Sequence, residues 1–206
     1  MRKLLFLILF MLPGAASLVS AQDMRNVFRD APDEMFPLLT KNLRADLVDF
    51  ADAGMTAKVT NNFDGTSVLE ELDDDYLLLA TTALSTMQLK LLPMQGDTVI
   101  CVVKSVKAEA TDSRIRFYDL EWNRLDGSEM FALPAISDFF VPGADVSEVA
   151  DVCDIYLVAL HLNADDNTLV AEYTMPAYMS AEDAEKVKPL LRKLVYRWNG
   201  ERFVIE

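Results

Sequence analysis

The spacing of apolar side chains changes character along the chain. Between residues 33 and 53, Leu43, Leu47 and Phe50 recur at helical spacing. Thr40 stands where a helix cap belongs, and Gly54 where a helix stops. Pro37 interrupts the stretch, which predicts two short helices or a kink rather than one rod. From Met55 to about Trp122 the period is two. Thr56–Thr60 and Ser67–Leu72 flank Asp64-Gly65, a hairpin signal, and Tyr76–Leu79 follows. Met87, Leu89 and Leu91 alternate with Gln88 and Lys90. Thr98–Val106 is rich in β-branched residues, and Ile115 and Phe117 alternate with Arg116 and Tyr118. The connections are too short for crossover helices, so these strands are expected to pair as an antiparallel meander.

The last third is more mixed. Pro134 and Pro142 frame Ile136, Phe139 and Phe140, and Ser147–Cys153 reads as one or two helical turns. Ile155–Leu162 and Thr168–Met175 form a predicted hairpin across Asp165-Asp166-Asn167. Ser180 opens a capped helix that runs to about Leu191 and is shortened by Pro189. Leu194, Tyr196 and Trp198 then alternate with Val195 and Arg197. Asn199-Gly200 predicts a type I′ turn before Phe203 and Ile205. The pattern predicts an α+β fold, dominated by antiparallel sheet with a few short packed helices. Residues 22–206 are read as one domain, with any subdivision falling near 130–145.

The first residues follow different rules. Arg2 and Lys3 precede an apolar run from Leu4 to Leu12, Pro13-Gly14 break it, and small residues lead to Val19-Ser20-Ala21. This is the layout of a secretory signal peptide over residues 1–21, cleaved between Ala21 and Gln22. A bilayer core needs about 20 predominantly apolar residues, more than this broken run supplies, and no later stretch approaches a span. The expected location is therefore outside the cytoplasm, periplasmic or secreted, with no transmembrane segment after cleavage.

Composition narrows the chemistry. The chain has 206 residues, 19 basic and 33 acidic, for a net charge of −14. Cleavage would remove two of the basic residues and none of the acidic ones, moving the charge to −16. So acidic a chain repels phosphate backbones, and nucleic acid is not an expected partner. No two glycines after residue 21 lie closer than Gly54 and Gly65, which excludes G-x-G-x-x-G, P-loop and G-x-S-x-G motifs. No cofactor or metal site is expected.

The remaining candidates are few. His161 is the only histidine and lies between Leu160 and Leu162 in an apolar strand, without a nucleophile signature around it. Cys101 and Cys153 are an even pair, which permits a disulfide in an exported chain; their apolar neighbours equally suit buried free thiols. Asp73-Asp74-Asp75 and Asp165-Asp166-Asn167 supply clustered oxygens of the kind calcium prefers, but neither has the EF-hand spacing. The segment Met175, Pro176, Tyr178, Met179 is apolar and loop-like, suited to an exposed contact patch or to packing beneath the helix that follows.

A family resemblance runs through dispersed residues. Pro37-Leu-Leu-Thr40, Leu47-Val-Asp-Phe50, Ala57-Lys-Val-Thr-Asn61 and Gly65 begin it. Asp75-Tyr76-Leu77, Ser85-Thr86, Leu91-Leu92-Pro93, Asp112-Ser113, Phe117-Tyr118 and Trp122 continue it. Together they resemble a domain-of-unknown-function family (number 3256) of exported proteins in Bacteroides-type bacteria. The resemblance implies a place in the envelope of a two-membrane bacterium and carries over no catalytic residues. The expected role is a non-catalytic binding module for an envelope protein or a glycan. The alternatives are a secreted hydrolase using paired carboxylates and a calcium-stabilised structural module.

Overall fold

A computed structural model describes residues 23–147 and 153–206. The export signal expected at 1–21, with its Ala21/Gln22 cleavage point, lies outside the described residues, as does most of the helical turn expected at Ser147–Cys153.

Helix α1 (Met24–Asp30) starts at Asp23, whose carboxylate accepts the Arg25 backbone N–H at 2.9 Å. This helix lies outside the segment where helical periodicity predicts one, although Met24, Val27 and Phe28 share one face and are all buried. A 3-10 turn (Asp33–Met35) and Pro37 separate it from α2 (Lys41–Asp52). Thr40 caps α2 by accepting the Leu43 N–H, and Gly54 follows with a φ of 66°, so the proline divides two helical pieces as expected.

Arg44 ties these pieces together. It is fully buried on α2, and its guanidinium donates to the carbonyls of Phe28 at 3.0 Å, Leu39 at 2.7 Å and Ala31. It also pairs with Asp33 at 2.9 Å and lies 5.4 Å from the Phe36 ring centroid. The final carbonyls of a helix have no partner within it, and here one arginine collects those around the end of α1.

The period-two region folds as expected. Strands β1 (Lys58–Thr60), β2 (Thr66–Leu72), β3 (Tyr76–Thr82), β4 (Ser85–Met94), β5 (Asp97–Lys107) and β6 (Thr111–Tyr118) form one antiparallel sheet in chain order. The second sheet has the order β10-β9-β8-β7, made from β7 (Val158–Leu162), β8 (Thr168–Tyr173), β9 (Leu194–Trp198) and β10 (Phe203–Ile205). Between β8 and β9 lies α3 (Ala181–Val187), capped by Ser180, and Pro189 turns its end into a 3-10 segment.

One turn differs from its prediction. Trp198 pairs with Phe203, so the β9–β10 connection is a four-residue loop and not a type I′ turn at Asn199-Gly200. The Asn199 side chain accepts the N–H groups of Glu201 at 3.0 Å and Arg202 at 2.9 Å, which folds the wider loop. The two-residue turn with both φ angles positive is instead at Gln95-Gly96, where Met94 pairs with Asp97 and φ is 37° and 89°.

Alternation along the central strands sorts the core into two layers. Leu77, Leu79, Met87, Leu89, Ile100 and Val102 face α1 and α2. On the other face Val99, Cys101, Val103 and Phe117 meet Leu160, Leu169, Ala171, Leu194 and Trp198 of the second sheet. Met130, Phe131 and Phe139, from the connection between the sheets, join this second layer, so the stretch near 130–145 is built into the core.

The edge of β7 is fastened to the face of the large sheet by side chains. Gln88 on β4 donates to the Leu160 carbonyl at 3.3 Å and accepts the Leu162 N–H at 2.9 Å. Ser113 on β6 accepts the Leu160 N–H at 3.0 Å. Buried Lys90 reaches the Ala164 carbonyl at 2.7 Å and pairs with Asp75. The polar positions that alternate with the apolar ones on β4 thus satisfy backbone groups of the second sheet.

Candidate functional site

The candidate residues of the sequence are dispersed, and most have structural partners. Cys101 lies in the middle of β5, fully buried, and Cys153 lies before β7; both are free thiols within one apolar core. The bridge that the even count permits is not formed. Desolvation pushes both thiols above their ordinary pKa, Cys101 most strongly, so neither is an activated thiolate. His161 points from β7, opposite Val170, away from the core, and lines a groove of about 410 Å³ with Tyr76, Gln88 and Ser105. Desolvation in that groove pulls its pKa down.

The acidic turns are occupied by protein groups. In the β2–β3 turn, Asp74 pairs with Arg25 at 3.2 Å and Asp75 with Lys90 at 3.0 Å. Asp166 caps Thr168 through its backbone N–H and hydroxyl. Among the described residues, no group of three or more His, Cys, Asp or Glu side chains is placed to hold a metal ion.

The predicted contact patch divides. Met175 and Pro176 are buried at the start of a 3-10 turn, and Met179 packs partly on the core. Only Tyr178 of the four is largely exposed, at 48%. The Met175–Met179 segment therefore packs beneath α3 and does not present a continuous apolar surface.

A different surface presents itself at one end of the six-stranded sheet. The β1–β2, β3–β4 and β5–β6 turns all emerge there, since successive antiparallel strands alternate direction. Phe63, Leu84 and Val106 stand at this end with exposures of 74%, 62% and 61%. The Lys107 N–H donates to the Leu84 carbonyl at 2.8 Å, which holds two of these tips together. Asn62 donates to the carbonyls of Leu38 and Pro37, which fixes the third against the loop before α2. Beneath the tips a slot of about 210 Å³ is lined by Met35, Pro37, Leu38, Thr86, Met87 and Lys104. Three of its hydroxyl groups are engaged, Thr81 with Ser85 and Ser105 with Ser113, so the open surface is mainly apolar.

Periodicity does not reveal this site. Phe63 and Leu84 lie in turns, where an apolar residue breaks no alternation, and Val106 continues the apolar run of β5 past the cover of the helices. The signal that was available is the presence of large apolar side chains at turn positions that polar residues ordinarily fill.

The fold and this surface define a two-sheet α+β protein with an open apolar surface at one end of the larger sheet. The chain belongs to the family described as "Protein of unknown function (DUF3256)", whose model matches residues 16–203, in agreement with the resemblance read from the sequence. Among solved structures it is similar to a domain of an uncharacterized protein from Porphyromonas gingivalis W83. The two share 26% sequence identity and a TM-score of 0.77, over 90% of this chain and 98% of that one. No curated protein matches the chain. No helix among the described residues is long and apolar enough to cross a membrane.

Proposed function

We propose that the protein is exported to the cell envelope, periplasmic or secreted, and acts there as a non-catalytic binding module for another envelope protein or a glycan. The observation that carries the binding reading is the group of Phe63, Leu84 and Val106 exposed at one end of the sheet, with Val106 also lining the slot. Single exposed apolar residues are ordinary, but three large ones at one end of a sheet have the character of a contact surface. Export is supported by the basic, apolar and small-residue layout of residues 1–21.

The carboxyl chemistry points the same way. Among the described residues, the carboxyls with a shifted pKa are shifted downward: Asp30 by Lys41, Asp119 by Asn123, Asp126 by Ser128, Asp145 by Ser147 and Asp166 by Thr168. A general acid for glycoside hydrolysis needs the opposite shift.

The test is capture of envelope components on the immobilised mature chain, compared with a Phe63→Ser/Leu84→Ser/Val106→Ser variant. A specific partner retained by the native surface and lost by the variant is expected. Equal capture by both, or turnover of chromogenic glycosides or esters, overturns the reading. N-terminal sequencing of the protein from fractionated cells should begin at Gln22, and recovery of the intact Met1 chain from cytoplasm would refute export.

A further inference from the structure

Beside the slot the register of β5 and β6 assembles a feature that the overall charge of −14 conceals. Lys104 pairs directly with Arg114, and Val102 with Arg116, so the three cations share one face of the sheet. All three are exposed, and among the described residues none makes an ion pair. They line a hollow of about 160 Å³ with Val102. The Lys104 ammonium donates to the Met35 carbonyl at 3.2 Å, and Lys104 also lines the apolar slot, so the two hollows adjoin. The acid on this face of β6 is Asp112, opposite Val106 at the strand's start, and it forms no salt bridge with Arg114.

Like charges placed directly opposite across a strand pair destabilise the sheet. A chain with 33 acidic residues has ample means to neutralise them, yet leaves this group unpaired while Arg25, Arg29, Arg44 and Lys90 are all paired. We propose that this face is the docking site for an extended, acidic segment of a partner protein that places one large apolar side chain in the slot. The proposal rests on the binding reading above and names the chemistry of the partner.

Three observations choose a protein segment. Arg114 and Arg116 repeat at the two-residue period of a strand, roughly 6.6 Å, the same repeat that sets alternate side chains of an extended peptide. The slot, at about 210 Å³, is below the roughly 300–1,000 Å³ of small-molecule sites and suits a single anchoring side chain. Exposed Val106 lines the slot and extends its apolar surface toward the sheet end, as the surround of a hot spot does.

The test is selection of peptides from a random displayed dodecapeptide library on the mature chain, with binding of the enriched peptides measured by fluorescence anisotropy. Enriched peptides should combine Asp or Glu at alternate positions with one Phe, Leu or Trp, and bind less tightly as salt is raised. Arg114→Glu/Arg116→Glu should weaken them about tenfold or more, while Arg114→Lys/Arg116→Lys keeps most of the affinity. Unchanged thermal melting of both variants shows that the fold is intact. Enriched peptides without acids, or equal binding to the charge-reversed variant, overturn the proposal. So does saturable binding of dodecanoate or of anionic vesicles in place of any peptide. If envelope capture is lost with the Phe63/Leu84/Val106 variant but not with the charge-reversed one, the binding surface stands and the acidic segment falls.

Discussion

Arg44 shows how a charged residue can belong to a core. Its 0% exposure would be costly for a lone cation, but the carbonyls of Phe28, Ala31 and Leu39 and the Asp33 carboxylate satisfy its guanidinium. Asp33 is largely exposed and can be rehydrated, so the ion pair is the smaller part of the contribution. The larger part is the set of buried carbonyls that would otherwise lack donors, each costing roughly 1–3 kcal/mol. Arg44→Leu is therefore expected to lower the unfolding free energy by about 3 kcal/mol or more. Arg44→Lys should recover only part of that, because one ammonium cannot reproduce the planar fork. Urea denaturation of the three proteins checks this, and an Arg44→Leu midpoint close to the parent would refute it. Periodicity along α2 does not show this role, because the partners of Arg44 lie in other turns of the chain.

At the scale of elements, the critical contact is between β4 and β7. Gln88 presents an amide to β7 much as a neighbouring strand would, donating to the Leu160 carbonyl and accepting the Leu162 N–H. Gln88→Leu leaves both backbone groups buried and unpaired, and should cost about 2–4 kcal/mol. Hydrogen exchange should quicken at Leu162, whose N–H Gln88 accepts, more than in the centre of β5; uniform loss of protection would show that Gln88 has no special role in holding β7. The strands themselves were legible, because half-buried strands write their alternation into the sequence, and so was the division made by Pro37. Helix α1 was harder to see. It has only seven residues, and its apolar face gains meaning from the sheet it covers. The β9–β10 loop departs from the local preference of Asn-Gly for a type I′ turn, because the pairing of Trp198 with Phe203 sets a longer loop. Nor does alternation show that Lys104 and Arg114 meet, since cross-strand register is a property of pairs.

Across the whole molecule, two sheets share one apolar layer and the helices cover the opposite face of the larger sheet. That burial reaches the phenols. Desolvation, assisted by nearby acids, pushes Tyr76 and Tyr173 from about 10 up to about 12. The folded state therefore holds these protons more tightly than the unfolded chain. Their contribution to stability is complete below about pH 10 and is lost as pH rises from there through about 12. Urea midpoints should fall over that interval together with delayed phenolate absorbance; normal titration of all tyrosines in the native protein would contradict it. The fastening of β7 has a further consequence for a protein that must persist among many others. A free strand edge is a template on which another chain can continue the sheet and start an aggregate. By occupying the backbone of Leu160 and Leu162 with a side-chain amide, the larger sheet closes one edge of the smaller. The other edge is β10, only three residues long, with the Phe203 N–H already taken by the Met130 carbonyl. So short an edge gives a foreign strand little to grip, and the molecule is guarded against sheet-to-sheet association on that side.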